Sequence, residues 1–298
     1  MEKINEGGFF EIPAGLLYFA GDKSAQLLHG QLTNDIKLLK KGEGNFNLLL
    51  NQKGKVRAAV YVFNQGDQLG LLCEAKDKNG LLEHFSKMAP LSKVMMSDAT
   101  PAYRFFHCCK PLEVFKEKYR LEPVLIGHEP ITGFRSDRIG LPGIDFFVPV
   151  ERVPDFMDWM AKEKVSPLDE ETIECIRIEQ GIPKAGVDFG EDHLPQECCL
   201  DEALNFNKGC YLGQEIIARL HYKGHVNKIL KPLVISEWLH PKAGLQLLSE
   251  GVVSGNLTSV AYSTKWQSYV GLGYVPYKKS EPNSLFQIEG GGLARVTR

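Results

Sequence analysis

The residues with the most chemical promise lie together at Lys208-Gly209-Cys210-Tyr211-Leu212-Gly213-Gln214-Glu215. Two glycines bracket a cysteine there, and glycine allows backbone angles and a closeness of approach that other residues resist. The next stretch, 214–220, reads as a short helix with Glu215 and Arg219 at i,i+4 spacing. Cys210 would then stand just before a helix N-terminus and two residues from Lys208, and both features favour a thiolate. Against this stands the usual fate of a free cysteine, which is to be a small buried hydrophobe. The segment is also locally basic. Between 208 and 231, Lys208, Arg219, Lys223, Lys228 and Lys231 face one acid, Glu215, with His221 and His225 among them. Such a patch suits an anionic ligand such as a phosphate, a polyglutamate tail or RNA; the plain alternative is a solvated face.

Other chemistries find little support. His221 and His225 are separated by Gly224 and belong to no His-Glu-x-x-His arrangement. The adjacent pairs Cys108-Cys109 and Cys198-Cys199 would split to opposite faces of a strand, so no metal site is expected. Phosphate-cradling glycine loops and the Gly-x-Ser-x-Gly elbow are absent. The 7 cysteines, odd in number and twice adjacent, do not suit a disulfide framework and point to a reducing compartment. With 43% hydrophobic and 24% charged residues the composition is that of a soluble globular protein, and a net charge of −2 excludes a globally basic nucleic-acid binder. No apolar run approaches the ~18 residues of a membrane helix. The opening residues 1–6 have neither the basic nor the apolar region of a leader. A cytoplasmic protein without membrane contact is the expectation.

The elements that must position this chemistry are legible in outline. Residues 16–19 read as a buried strand, followed by a short helix capped by Asp22 and stopped at Gly30. Residues 45–50, 56–63 and 68–74, separated by turn sequences, predict an antiparallel meander, with a helix over 77–88. A helix is predicted over 166–180, with Ser166 as cap, Pro167 in first position, Ile173 and Ile176 toward the core, and Gly181 and Pro183 as its stop. Beyond Pro232, strand-like pieces at 233–236, 245–248, 258–262, 269–275 and 285–289 predict a small barrel or sandwich, and a domain boundary near 230.

The segment 208–215 resembles the signature of the YgfZ-like branch of the glycine-cleavage T-protein superfamily. Leu28-His29-Gly30-Gln31-Leu32-Thr33-Asn34-Asp35, Leu49-Leu50-Asn51-Gln52-Lys53-Gly54-Lys55-Val56, Arg177-Ile178-Glu179-Gln180-Gly181-Ile182-Pro183 and Gly255-Asn256-Leu257-Thr258-Ser259 are similar to further blocks of that superfamily, in the expected order. Residues 90–165 match none of them. The resemblance implies an α+β fold: two interleaved, discontinuous lobes over 1–230 around a central folate cavity, and a small β-barrel over 231–298. It implies tetrahydrofolate, or a one-carbon derivative, as cofactor. It implies a role in making or repairing iron–sulfur clusters of client enzymes, including those that modify tRNA.

Carried over by position, Lys208 and Cys210 would be the catalytic pair, with the thiol ionised and accessible at the cavity mouth. Glu179 would hold the pterin's donor edge and Asn34 would line the cavity, with Arg177, Gln214 and Arg219 completing the binding set. The ordinary alternatives are a solvated helix-end carboxylate for Glu179 and a helix cap for Asn34. Aminomethyltransferases of the superfamily carry an Asp-Asp pair, including their acid/base group, where this chain has Ala58-Ala59. Alanine transfers no proton, so ordinary glycine cleavage is expected to be absent. Two alternatives stay open: a folate-dependent aminomethyltransferase or demethylase, and a non-catalytic module that holds tRNA by the basic segment.

Overall fold

The computed structural model describes residues 7–110, 112–237 and 241–298; the opening hexapeptide read above for a leader lies outside them. The first part of the chain runs β1 (Gly8–Glu11), β2 (Ala14–Ala20), α1 (Ser24–Gln31), β3 (Gly44–Leu50), β4 (Val56–Asn64), β5 (Gln68–Glu74), α2 (Lys78–Ser86) and β6 (Met95–Asp98). It continues with β7 (Tyr103–Cys108), β8 (Leu121–Ile126), β9 (Glu129–Ser136), β10 (Gly143–Pro149), α3 (Val153–Lys162), β11 (Ser166–Pro167), α4 (Glu170–Glu179) and α5 (Gln214–Lys223). Six strands end the chain: β12 (Lys228–Ser236), β13 (Gln246–Ser249), β14 (Val252–Ser263), β15 (Ser268–Pro276), β16 (Leu285–Ile288) and β17 (Leu293–Val296).

These strands make a five-stranded sheet in the order β3-β4-β5-β2-β6, a six-stranded sheet in the order β11-β1-β7-β10-β9-β8, and a closed barrel, β12-β15-β14-β13-β16-β17. The α+β expectation and the C-terminal barrel are both present. The meander is β3-β4-β5, with Leu48 opposite Ala59 and Val60 opposite Cys73.

Side-chain alternation in β4 decides what each face does. Ala58, Val60 and Val62 are buried under α1 and α2 with Leu28, Leu81 and Phe85. Ala59, Tyr61 and Phe63 point the other way. Phe63 joins an aromatic layer between the two sheets with Phe105, Phe134 and Phe147; its ring lies 4.6 Å from that of Phe134. A third core, with Ile217 of α5, Tyr211 and Leu272, ties the signature segment to β3 and to the barrel.

Three local expectations are corrected. Asp22 does not cap α1: Lys23 occupies that position, and the Ser24 hydroxyl donates back to the Gly21 carbonyl at 2.7 Å. Ser166 and Pro167 do not open α4. They form β11, the edge strand paired parallel with β1, where a residue lacking an N–H is tolerated. The helix starts behind Asp169, whose carboxylate accepts from the Thr172 N–H at 2.8 Å. The barrel has six strands where the sequence reading offered five pieces: β17 follows the hairpin turn at Gly290-Gly291-Gly292.

Candidate functional site

A cavity of about 860 Å³ lies where the two sheets, α4 and the loops before the barrel meet. The five-stranded sheet contributes Phe46, Ala59, Tyr61, Leu72, Cys73 and Glu74 to its wall. From the six-stranded sheet and its connections come Phe9, Phe10, Tyr119, Arg138 and Ile139; from α4 and after it come Ile173, Glu174, Arg177, Lys184 and Phe189. The wall is mainly apolar and aromatic, with charged groups in fixed places.

One charged set sits on α4. Arg177 donates to Glu174 Oε2 from Nε (2.9 Å) and Nη2 (2.6 Å), and to Asp188 Oδ2 from Nη1 at 2.7 Å. Glu174 also accepts from Lys184 Nζ at 2.8 Å. Burial alone would raise the Glu174 carboxyl, but its bonds from Arg177 and Lys184 outweigh that and hold it below the usual range. Asp188, fully buried, accepts from Ser259 and Thr258 of β14 as well, so it fastens α4 to the barrel. The other set lies opposite. Arg138 grips Asp145 Oδ2 through Nε (3.0 Å) and Nη2 (2.6 Å), and its guanidinium lies 5.5 Å over the Tyr61 ring. Asp145 is buried and also bonds His107 Nδ1 at 2.6 Å and Ser136 at 3.0 Å. Burial opposes its charge, but Arg138 and His107 hold it far below the ordinary carboxylate range.

The signature segment lies behind this wall rather than in it. Lys208 is buried, and its ammonium donates to the carbonyls of His29 (2.7 Å), Leu32 (2.6 Å) and Asn34 (2.8 Å). It therefore terminates α1 and pins the signature to the loop that follows. Burial pushes it down to about 8. Because it is enclosed, it leaves the basic surface with one cation fewer than the sequence count. Asn34 bonds the Phe46 carbonyl through its amide at 3.1 Å and accepts from its neighbour Asp35; it does not line the cavity but braces a residue that does. Cys210 is exposed and also outside the lining, which corrects the expectation of a thiol at the cavity mouth; the cysteines that line it are Cys73 and Cys199.

Among the other sequence candidates, Arg177 lines the cavity. Glu179 turns to the barrel, where it accepts from Ser263 of β14, and the carboxylates that α4 gives to the cavity are Glu170 and Glu174. Gln214 opens α5, and Arg219 lies exposed on it; neither lines the cavity. Arg138, Asp145, Glu174 and Tyr61 were passed over. A lone aspartate in the apolar run Gly143–Pro149 was the available signal, since a buried charge demands a partner.

Gly213 shows why two blocks of the sequence must meet. Its φ is +81°, and a Cβ there would come 2.6 Å from the Asn51 carbonyl oxygen and 3.1 Å from Gly54. Gly213→Ala should cost about 1–3 kcal/mol of stability, read as a lower midpoint in urea unfolding.

No family model matches the chain. An aminomethyltransferase of Nostoc sp. is 24% identical, over 97% of this chain and 82% of its own length. A tRNA-modifying protein YgfZ of Buchnera aphidicola is 28% identical, over 77% of this chain and 73% of its own. An iron-sulfur cluster assembly factor IBA57 homolog of Mycosarcoma maydis is 27% identical, over 74% and 55%. The crystal structure of the glycine cleavage system aminomethyltransferase T from Bartonella henselae superimposes with a TM-score of 0.85, covering 99% of this chain and 88% of that one at 18% identity. The chain is thus similar to aminomethyltransferases over nearly its whole length and to YgfZ and IBA57 proteins over about three quarters of it. Its fold is that of the Bartonella aminomethyltransferase almost end to end, and fold alone does not assign function, so sites of function must be read from individual side chains.

Proposed function

We propose that this chain is a tetrahydrofolate-binding accessory protein for iron–sulfur cluster assembly or repair, serving client enzymes that include tRNA-modifying ones, and is not an ordinary aminomethyltransferase. The observation that carries the reading is Ala59. Alternation along β4 puts Ala59 in the cavity wall and Ala58 in the core, at the pair where the resemblance sets the aminomethyltransferase acid. A methyl group there neither takes nor gives a proton. The relatives named for tRNA modification and for iron–sulfur cluster assembly support the same assignment.

The residues of the cavity fit a reduced folate. The volume lies within the ~300–1,000 Å³ of small-molecule sites. Phe46, Tyr61, Tyr119 and Phe189 offer apolar faces to a flat pteridine. Glu174 offers a carboxylate to an N–H donor edge, and the cations of the wall, Lys118, Lys184 and Arg138, each already pair with a carboxylate (Glu202, Glu174 and Asp145), so an anionic tail would share them with those partners. When bound, folate would supply the nitrogens that carry a one-carbon unit. The chain's own work is to orient it: Arg177 and Lys184 hold Glu174 in place, Asp145 holds Arg138, and Asn34 and Lys208 brace the wall and the signature loop. Cys210 is the reactive group of that loop in this reading. Residues 1–230 form the folate-binding region and 231–298 the barrel.

The test is a substitution that fills the cavity. Tetrahydrofolate titrated into the purified protein should bind saturably, and Ala59→Trp should weaken binding at least about tenfold, ~1.4 kcal/mol. In cells lacking the chain, cluster-dependent tRNA thiolation should fall, and the wild type but not Ala59→Trp should restore it. Glycine cleavage by the purified protein with the partner proteins of that system would overturn the reading in favour of an aminomethyltransferase, the activity for which the Nostoc relative is named.

A further inference from the structure

Resting on the folate reading, we propose that Glu74 is a specificity residue of the same cavity: its carboxylate accepts from N5–H of the pterin and so selects reduced over oxidised folate. Register and alternation place it. Val60 stands opposite Cys73, and both belong to the core under α1 and α2. One step further along the antiparallel pair sets Ala59 opposite Glu74, with Cβ atoms about 4.5–5.5 Å apart. Alternation turns both toward the cavity, whose wall they share. On the other side of β5, Glu74 is paired with Ala14 of β2. The carboxylate therefore stands on a strand held from both sides, and its two cross-strand neighbours are methyl groups that leave it room.

Its bonding leaves one oxygen free. Oε2 lies 2.9 Å from Lys76 Nζ, and Lys76 also donates to the Ala185 carbonyl, which ties the end of β5 to the loop after α4. Among the described residues no hydrogen bond reaches Oε1. By contrast, Glu202 gives both its oxygens to Lys118, at 2.8 and 2.9 Å. The charge of Glu74 is felt within the wall. Burial above all, with Asp145, Glu202 and Glu74 adding to it against the pull of Arg138, pushes the Tyr61 phenol up to about 12. The chemistry of the ring says which atom the free oxygen meets. The aminopyrimidinone edge falls to Glu174, and the pair Ala58-Ala59 is where the resemblance sets the aminomethyltransferase acid, beside the nitrogens that carry a one-carbon unit. A carboxylate reaching over Ala59 meets N5. In tetrahydrofolate N5 bears a hydrogen to donate. In folic acid it is a bare aromatic nitrogen whose lone pair repels the carboxylate, and a site built to bond one N–H rejects the analogue that lacks it.

The experiment is a pair of calorimetric titrations, tetrahydrofolate without oxygen and folic acid, into the wild type, Glu74→Leu and Glu74→Gln. The wild type should prefer tetrahydrofolate by at least about tenfold, the ordinary weight of a hydrogen bond to a charged acceptor. Glu74→Leu should lose about tenfold or more in affinity for tetrahydrofolate, while folic acid binds as before or more tightly, because the repelling charge is gone. Glu74→Gln, which keeps an acceptor but no charge, should fall between. A merely structural role would weaken both ligands alike, so equal losses overturn the proposal, as does a preference unchanged in Glu74→Leu. Urea unfolding midpoints near that of the wild type show that each variant is folded, and the wild-type preference needs no variant at all. A wild type that binds both ligands equally overturns the proposal and leaves the folate reading standing. A wild type that binds neither removes both.

Discussion

Replacing Arg177 by methionine should lower the unfolding free energy by about 3–5 kcal/mol, the usual result of orphaning one member of a buried ion pair. Asp188 is 0% exposed and would keep its charge without the guanidinium that faces it at 2.7 Å. Ser259 and Thr258 would still donate to it, but neither carries charge. The helix would also lose one of its fastenings to the barrel, since Arg177 reaches Ser259 of β14 at 2.8 Å. Equilibrium urea unfolding with an unchanged slope would read the loss directly. The same cluster sets a sensitivity to acid. Glu174 titrates below its ordinary value of 4.5 in the folded protein. Its contribution is therefore complete above that value and disappears as pH falls through the lower, folded one. Wild-type stability should drop more steeply in that window than that of Glu174→Gln.

Lys208→Met should cost about 2–4 kcal/mol, again read by urea unfolding, and should loosen the signature loop. Three carbonyls, those of His29, Leu32 and Asn34, would lose their common donor in a place that water reaches poorly. Held down to about 8, the ammonium is still mainly protonated at pH 7 and so has three hydrogens to give. Methionine keeps the packing volume but none of the bonds. Faster hydrogen exchange at Leu32 and Thr33 would locate the damage at the end of α1.

Much of the scaffold was legible because it rests on short-range rules. The meander strands over 45–74 alternate or run apolar between turn residues, and their observed limits differ by a residue at most. The barrel was legible as recurrent short strands, whereas a glycine run hid its last hairpin. Caps were less legible. Asp22, Ser166 and Pro167 are each good helix openers in isolation, but the long-range pairing of β11 with β1 took the last two for a sheet edge. The cavity was the least legible part. Its wall draws on residues from Phe9 to Glu202, and the Arg138–Asp145–His107 set lies within 90–165, where no motif points the way. Lys208 shows the opposite failing: the signature marked it as important, but only the folded chain shows its amine spent on carbonyls.

The closure of the barrel bears on how this protein can meet other chains. With β12 paired to both β15 and β17, the six barrel strands close on one another, and among the described residues none of them is the end strand of an open sheet. The open margins among the described residues are β3 and β6 of one sheet and β8 and β11 of the other. Any association by strand addition, whether a useful docking or a step toward aggregation, must start from those four.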